Sequence, residues 1–155
     1  KNLIKDKFFL MLLPDDLIIK RNCSKDMILI YNKKKCSVMA SMRVRKKTVN
    51  RWGIYSKKNN INKNNFYIND VVEKPDIKSA PSNNAVIGRY ILPKKIFKKL
   101  QNQKKGKGGE IHITDSIRRL IKDGETFVGH NFKGKYLDCG TIDGYINSSI
   151  EISKI

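Results

Sequence analysis

Phe8-Phe9-Leu10-Met11-Leu12-Leu13 is an unbroken apolar run, closed by Pro14 and followed at once by Asp15-Asp16. It is strand-sized, far short of the roughly 20 residues that span a bilayer. Continuous rather than alternating hydrophobicity predicts a strand buried on both faces of a parallel sheet. Pro14 cannot extend a hydrogen-bonded ladder, so the strand ends there and leaves two carboxylates at its C-terminal end. That is where open α/β sheets bind ligands. Downstream, Ser24 is placed to cap a helix carrying Met27, Ile28, Ile30 and Tyr31. Residues 36–44 alternate and are rich enough in β-branched side chains for another strand. Strand, helix, strand in this order predicts the α/β class.

The rest of the chain continues the alternation. Residues 57–65 are polar, Asn-rich and aperiodic, as in a surface loop or hairpin tip. Strand character resumes over 66–72 and leads into Glu73-Lys74-Pro75. Residues 85–92 form a second continuous apolar strand, broken by Gly88 and Arg89. Pro93 suits the first turn of a short helix with Ile96, Phe97 and Leu100 on one side. Gly106, Gly108 and Gly109 approach Thr114, a candidate N-cap for a helix over 115–122. The i, i+3, i+4 stripe of that helix, Ile117, Leu120 and Ile121, is core packing. Short strands are expected at Phe127-Val128 and Tyr136-Leu137, and Thr141 caps a final helix with Ile142, Tyr145 and Ile146. A length of 155 residues fits a single domain over 1–155.

A net charge of +19 first suggests a polyanion partner. The charge is mostly Lys, however, scattered through every segment beside abundant Asn and Ile. Arg, which makes the bidentate contacts with bases and phosphates, is sparse. This pattern argues for a solvated basic surface and against a dedicated nucleic-acid interface. Cys23, Cys36 and Cys139 lack the paired spacing of a zinc site and read as free thiols in a reducing cytoplasm. His112 and His130 have no second ligand at metal-binding spacing. No segment has the length and apolarity of a membrane span. The chain opens on Lys1, not methionine, with no signal-peptide pattern, which points to further sequence upstream.

Four acidic or basic residues, at three places in the chain, have chemistry in reach. Asp15 offers hard oxygen ligands of the kind Mg²⁺ takes, and a turn aspartate bonded to its own backbone is the plain alternative. Glu73-Lys74 after a strand could be a surface ion pair. Pro75 drives Lys74 towards an extended backbone that would aim its side chain. Asp115 near a helix start is favoured by the helix dipole.

The order of these residues and their neighbours is more telling. The blocks are Leu12-Leu13-Pro14-Asp15-Asp16-Leu17-Ile18, Trp52-Gly53-Ile54, Val71-Val72-Glu73-Lys74-Pro75 and residues 80–90 from Ala80-Pro81 to Arg89-Tyr90. They continue with Gly108-Gly109-Glu110-Ile111-His112-Ile113-Thr114-Asp115 and Gly134-Lys135-Tyr136-Leu137-Asp138-Cys139-Gly140. In these the chain resembles the bacterial UTP–glucose-1-phosphate uridylyltransferases of the sugar nucleotidyltransferase family, over nearly its whole length. The resemblance implies part of a Rossmann-like fold with a mixed, mostly parallel sheet. It implies metal-binding roles for Asp15 and Asp115, with Mg²⁺ as cofactor. It gives glucose hydroxyl contacts to Gly53 and Glu73, the sugar phosphate to Lys74 as the catalytic cation, and the lining of hexose and phosphate to Val86 and Tyr90. The substrates it implies are UTP and glucose 1-phosphate.

The resemblance also implies partners and a limit. Relatives assemble as homo-oligomers. The family's G-x-G-T-R-x-x-P loop, which cradles the triphosphate, has no counterpart in these residues, so the chain matches the C-terminal, sugar-phosphate half. Leu137-Asp138 and Gly140-Thr141 also suit a thymidylyl- or other glucose-1-phosphate nucleotidyltransferase. A further alternative is a non-catalytic module that pairs with a full-length homologue.

Overall fold

The computed structural model describes residues 2–106 and 109–155; Lys1, Lys107 and Gly108 lie outside the described residues. The first half runs β1 (Phe8–Leu12), β2 (Asp16–Ile19), α1 (Cys23–Lys34), β3 (Ser37–Arg43), a 3₁₀ helix (Lys46–Arg51), β4 (Gly53–Asn60) and β5 (Asn65–Glu73). The second half runs β6 (Asn84–Pro93), α2 (Ile96–Gln101), α3 (Ile113–Lys122), β7 (Phe127–Asn131), β8 (Lys135–Asp138) and α4 (Ile142–Ile152). Among the described residues, six strands form one sheet in the order β1-β6-β3-β7-β5-β4, and β2 pairs with β8 in a separate two-stranded ribbon.

The α/β class and the mixed sheet agree with the sequence; the expected balance of strand directions does not. Among the described residues β3 and β7 form the one parallel pair, and β1–β6, β3–β6, β4–β5 and β5–β7 are antiparallel. A parallel pair needs a long crossover. The β3–β7 connection is long enough to hold three strands and two helices, whereas β4 reverses directly into β5 through residues 61–64. The polar 57–65 stretch is therefore the end of β4, a hairpin tip over 61–64 and the first residue of β5.

β1 is the clearest correction. It is not buried between two parallel neighbours but stands at the sheet edge, antiparallel to β6, with Leu10, Leu12 and Leu13 exposed. The continuous apolar signal has its proper match in β6, which is flanked on both sides and buried at nine of its ten positions. Gly88 and Arg89 do not interrupt it. Pro93 closes β6 opposite Phe8 and does not open α2, since an N–H is dispensable at a strand end.

Side chains of the sheet alternate between two apolar layers. Met39, Val86, Tyr90 and Leu92 join Ile96 of α2 and Ile117 and Leu120 of α3 on one face. Val38, Ala40, Ile87 and Ile91 pack with Cys23 and Met27 of α1 on the other. Each fully buried Leu or Ile contributes about 1.5–3 kcal/mol relative to exposure. α1 is capped by Asn22, whose side chain accepts from the Lys25 N–H at 3.0 Å, two residues earlier than the expected Ser24 cap. Thr141 caps α4 as expected, accepting from the Gly144 N–H at 3.1 Å. Ile142, Tyr145 and Ile146 of α4 are exposed. No helix among the described residues is long and apolar enough to cross a membrane.

One feature of the sheet matters most for chemistry. It curls until β4 reaches back to β6, with Ile54 opposite Ala85. The start of β4, the end of β5 and the start of β6 are thereby gathered beside the first turn of α3.

Candidate functional site

At this meeting point lies a pocket of about 220 Å³. Of the candidate residues, Gly53, Glu73, Val86 and Tyr90 all line it, from three different strands. Gly53 and Glu73 are partners across the β4–β5 ladder. A Cβ on Gly53 would lie 3.1 Å from Val86 Cγ2, 3.1 Å from Thr114 Cγ2 and 3.2 Å from Glu73 Oε2. Glycine is what allows strand, strand and helix to approach this closely.

Asp15, Lys74 and Asp115 do not line the pocket, but each is the chain neighbour of a residue that does: Asp16, Glu73 and Thr114. Asp15 is exposed, and its carbonyl accepts from the Cys139 N–H at 2.8 Å. Its carboxylate stands against Gly140, where a Cβ would come within 2.9 Å of Asp15 Oδ2 and 3.3 Å of Asp138 Oδ1. Asp115 sits in the first turn of α3 with its carboxylate against Gly106. Among the described residues no group of three or more His, Cys, Asp or Glu side chains forms a metal cluster. The donors present, the carboxylate oxygens of Asp15 and Asp115, are of the kind taken by a cation that binds one or two carboxylates and completes its shell with water and phosphate.

Lys74 departs from the sequence expectation. Its backbone is not extended but left-handed, with φ 42°. Its N–H donates to the Trp52 carbonyl at 3.0 Å, which closes the β4–β5 ladder and turns the chain before Pro75. Both the side chain and the following proline disfavour this conformation. The turn has a consequence. Adjacent strand residues point to opposite faces, and breaking the strand at Lys74 frees it from that alternation with Glu73.

Two pocket residues escape a sequence reading. Asp16 lines the pocket and is half-buried; its Oδ2 accepts from the Gly88 N–H at 2.5 Å and its Oδ1 from the Tyr136 hydroxyl. Burial pushes the Asp16 carboxyl above its ordinary value, with those two hydrogen bonds opposing the rise. Tyr136 in turn meets Trp52 edge to face, with ring centroids 5.7 Å apart. Tyr90, buried among Asp16, Glu73 and Asp15, has its hydroxyl pushed well up and stays protonated. Thr114 is the second. It is not the N-cap of α3, which is His112, but lies inside the first turn and donates its hydroxyl to Glu73 Oε2 at 2.6 Å. A lone Thr before a helix reads as a cap, and nothing in local sequence reveals a partner 41 residues away.

Larger cavities lie elsewhere, one of about 650 Å³ beside Tyr67 and Lys122 and one of about 540 Å³ beside Lys20 and Arg89. Neither gathers the candidate residues. Cys23, Cys36 and Cys139 are free. Burial pushes the Cys23 thiol up to about 12, which leaves it unreactive.

A family model described as nucleotidyl transferase matches residues 1–154. A UTP–glucose-1-phosphate uridylyltransferase of Pseudomonas aeruginosa is 39% identical over 150 residues, covering 95% of this chain and 53% of that protein. A putative UTP–glucose-1-phosphate uridylyltransferase of Methanocaldococcus jannaschii is 36% identical over 149 residues, covering 96% and 52%. A solved structure of UDP-glucose pyrophosphorylase complexed with UDP-glucose superposes with a TM-score of 0.91 at 40% identity, covering 99% of this chain and 58% of that one. The chain thus spans about half the length of the curated relatives it matches.

Proposed function

The chain belongs to the nucleotidyl transferase family, and on that premise we propose that it forms the sugar-phosphate side of a uridylyltransferase. The reaction is UTP plus glucose 1-phosphate giving UDP-glucose and pyrophosphate. The observation that carries this reading is the convergence of Gly53, Glu73, Val86 and Tyr90 on one pocket. A carboxylate held among apolar walls orients a polyol by accepting from its hydroxyls. The Gly53 backbone, unobstructed by a side chain, lets a sugar hydroxyl come close.

Lys74, turned out of the strand, binds the phosphate of the sugar. An oxygen of that phosphate attacks the α-phosphorus of UTP in line; a new P–O bond forms as the bond to pyrophosphate breaks. The attacking phosphate is already ionised and needs no general base. Positioning and charge stabilisation therefore carry the catalysis. Asp15 and Asp115 would hold Mg²⁺, which when bound screens the repulsion between the reacting phosphates.

The test is a pyrophosphate-release assay on the 155-residue chain, with and without a polypeptide supplying the G-x-G-T-R-x-x-P half. These residues by themselves should be inactive, since the triphosphate cradle provides several kcal/mol of transition-state stabilisation. The completed pair should turn over with Mg²⁺ and lose activity in Asp15→Asn. Turnover by the chain by itself near the common enzyme value of about 10 per second would overturn this reading, as would a completed pair indifferent to Asp15→Asn.

A further inference from the structure

We propose that Thr114 is a positioning residue for sugar selection, holding the Glu73 carboxylate in one orientation before the sugar arrives; this rests on the reading of Glu73 as the hexose acceptor. The Thr114 hydroxyl donates to Glu73 Oε2 at 2.6 Å, in the short range of hydrogen bonds to an ionised acceptor. Such a bond removes rotamer freedom from a long side chain that would otherwise sample several staggered wells. The contact is boxed in. Thr114 is buried, and its methyl, the Val86 methyl and Glu73 Oε2 all stand within 3.2 Å of where a Gly53 side chain would begin. The hydroxyl and methyl of Thr114 therefore have fixed and separate duties, one on the carboxylate and one against Gly53.

The platform beneath Thr114 is itself braced. His112 begins α3 without a side-chain cap. In place of one, Gln103 donates its Nε2 to the His112 carbonyl at 2.7 Å and accepts from the Ser116 hydroxyl with its Oε1. Ser116 and Gln103 are both buried. This brace locks the first turn of α3 in the register that aims Thr114 at Glu73. A binding group held by such an outer layer keeps its geometry without help from the ligand. Selection among hexose phosphates follows, because a fixed acceptor can distinguish an equatorial from an axial hydroxyl where a mobile one adapts to both.

Calorimetric titration of the chain with glucose 1-phosphate and galactose 1-phosphate tests the assignment, together with the ¹³C resonance of the Glu73 carboxyl. Thr114→Val keeps the shape and removes the donor; Thr114→Ser keeps the donor. Thr114→Val should bind glucose 1-phosphate about three- to tenfold more weakly, the cost of immobilising the freed Glu73 side chain when the sugar binds. It should also lose the preference for glucose and shift the Glu73 carboxyl signal, while Thr114→Ser retains all three. Equal affinity and preference in Thr114→Val and the parent, or an unmoved Glu73 signal, would overturn the proposal. If Thr114→Val fails to fold, the comparison of Thr114→Ser with Thr114→Ala carries the same test. Absence of sugar-phosphate binding by the parent, with a Glu73 signal that still moves in Thr114→Val, would instead refute the sugar reading of the pocket and leave the Thr114 contact standing.

Discussion

Replacing Lys74 by glycine and by alanine separates backbone strain from side-chain chemistry. Both variants lose the ammonium, so they differ only in how the backbone tolerates φ 42° at this position. A left-handed conformation costs a non-glycine residue about 1–2 kcal/mol, and the following Pro75 adds steric pressure of its own. Glycine escapes this but forfeits roughly 0.5–1 kcal/mol of chain entropy on folding. The difference leaves Lys74→Gly more stable than Lys74→Ala by about 0.5–1 kcal/mol, the reverse of the order at an ordinary strand position. For a chain of this size that is about 1–4 °C in thermal midpoint. Urea unfolding of the two variants at matched pH gives the same quantity without relying on temperature. Both should lose sugar-phosphate binding to the same degree. Lys35, which ends α1 in the left-handed region at φ 53°, is the control; Lys35→Gly should leave sugar-phosphate binding intact. A Lys74→Ala variant as stable as Lys74→Gly would show that the turn stores no strain. Undiminished binding in Lys74→Gly would remove Lys74 from the phosphate site.

Other perturbations act on the same framework. Gly88→Ala would place a Cβ 2.3 Å from Asp16 Oδ2 and 2.6 Å from Leu13 Cβ, so it should destabilise by about 1–3 kcal/mol through overpacking; a thermal midpoint equal to the parent's contradicts that packing. His130 is buried, its Nδ1 paired with Asn65 Oδ1 at 2.7 Å, and burial holds its pKa below the ordinary value against a weaker opposing pull from Asp26. The unfolded chain therefore takes up a proton near pH 6.5 that the folded chain resists, and stability falls as pH drops through that value towards the lower folded one. His130→Gln should flatten the change in urea midpoint between pH 7.5 and 5.5, and an unaltered slope would clear His130 of the effect.

Local sequence carried the class of fold and most of the elements, because apolar period and turn residues are local signals. It carried less of what depends on neighbours in space. The run at Phe8 and the one in β6 look equally apolar, yet one is an edge and the other is covered on both sides; only pairing distinguishes them. Pro93 satisfies the rule for a helix start and the rule for a strand end, and the Phe8 partner decides. Lys74 obeyed the pre-proline rule on paper, and the ladder bond to Trp52 overrode it. In the site, Gly53, Glu73, Val86 and Tyr90 were legible through motif order and prove to share a pocket. Thr114 and Asp16 were not assigned to it, because each works through contacts with residues remote in sequence, Glu73 for one and Gly88 and Tyr136 for the other.

The most direct measurement is a ¹H–¹⁵N chemical-shift titration of the chain with glucose 1-phosphate, and separately with UTP. Glucose 1-phosphate should produce saturable shifts at the amides of Gly53, Glu73, Lys74 and Gly88, with Glu73→Gln weakening them and UTP producing none of comparable affinity. Saturable shifts confined to the cavity beside Lys20 and Arg89, or the absence of any saturable shift with glucose 1-phosphate, would contradict the claim that this chain carries the sugar-phosphate side of the reaction.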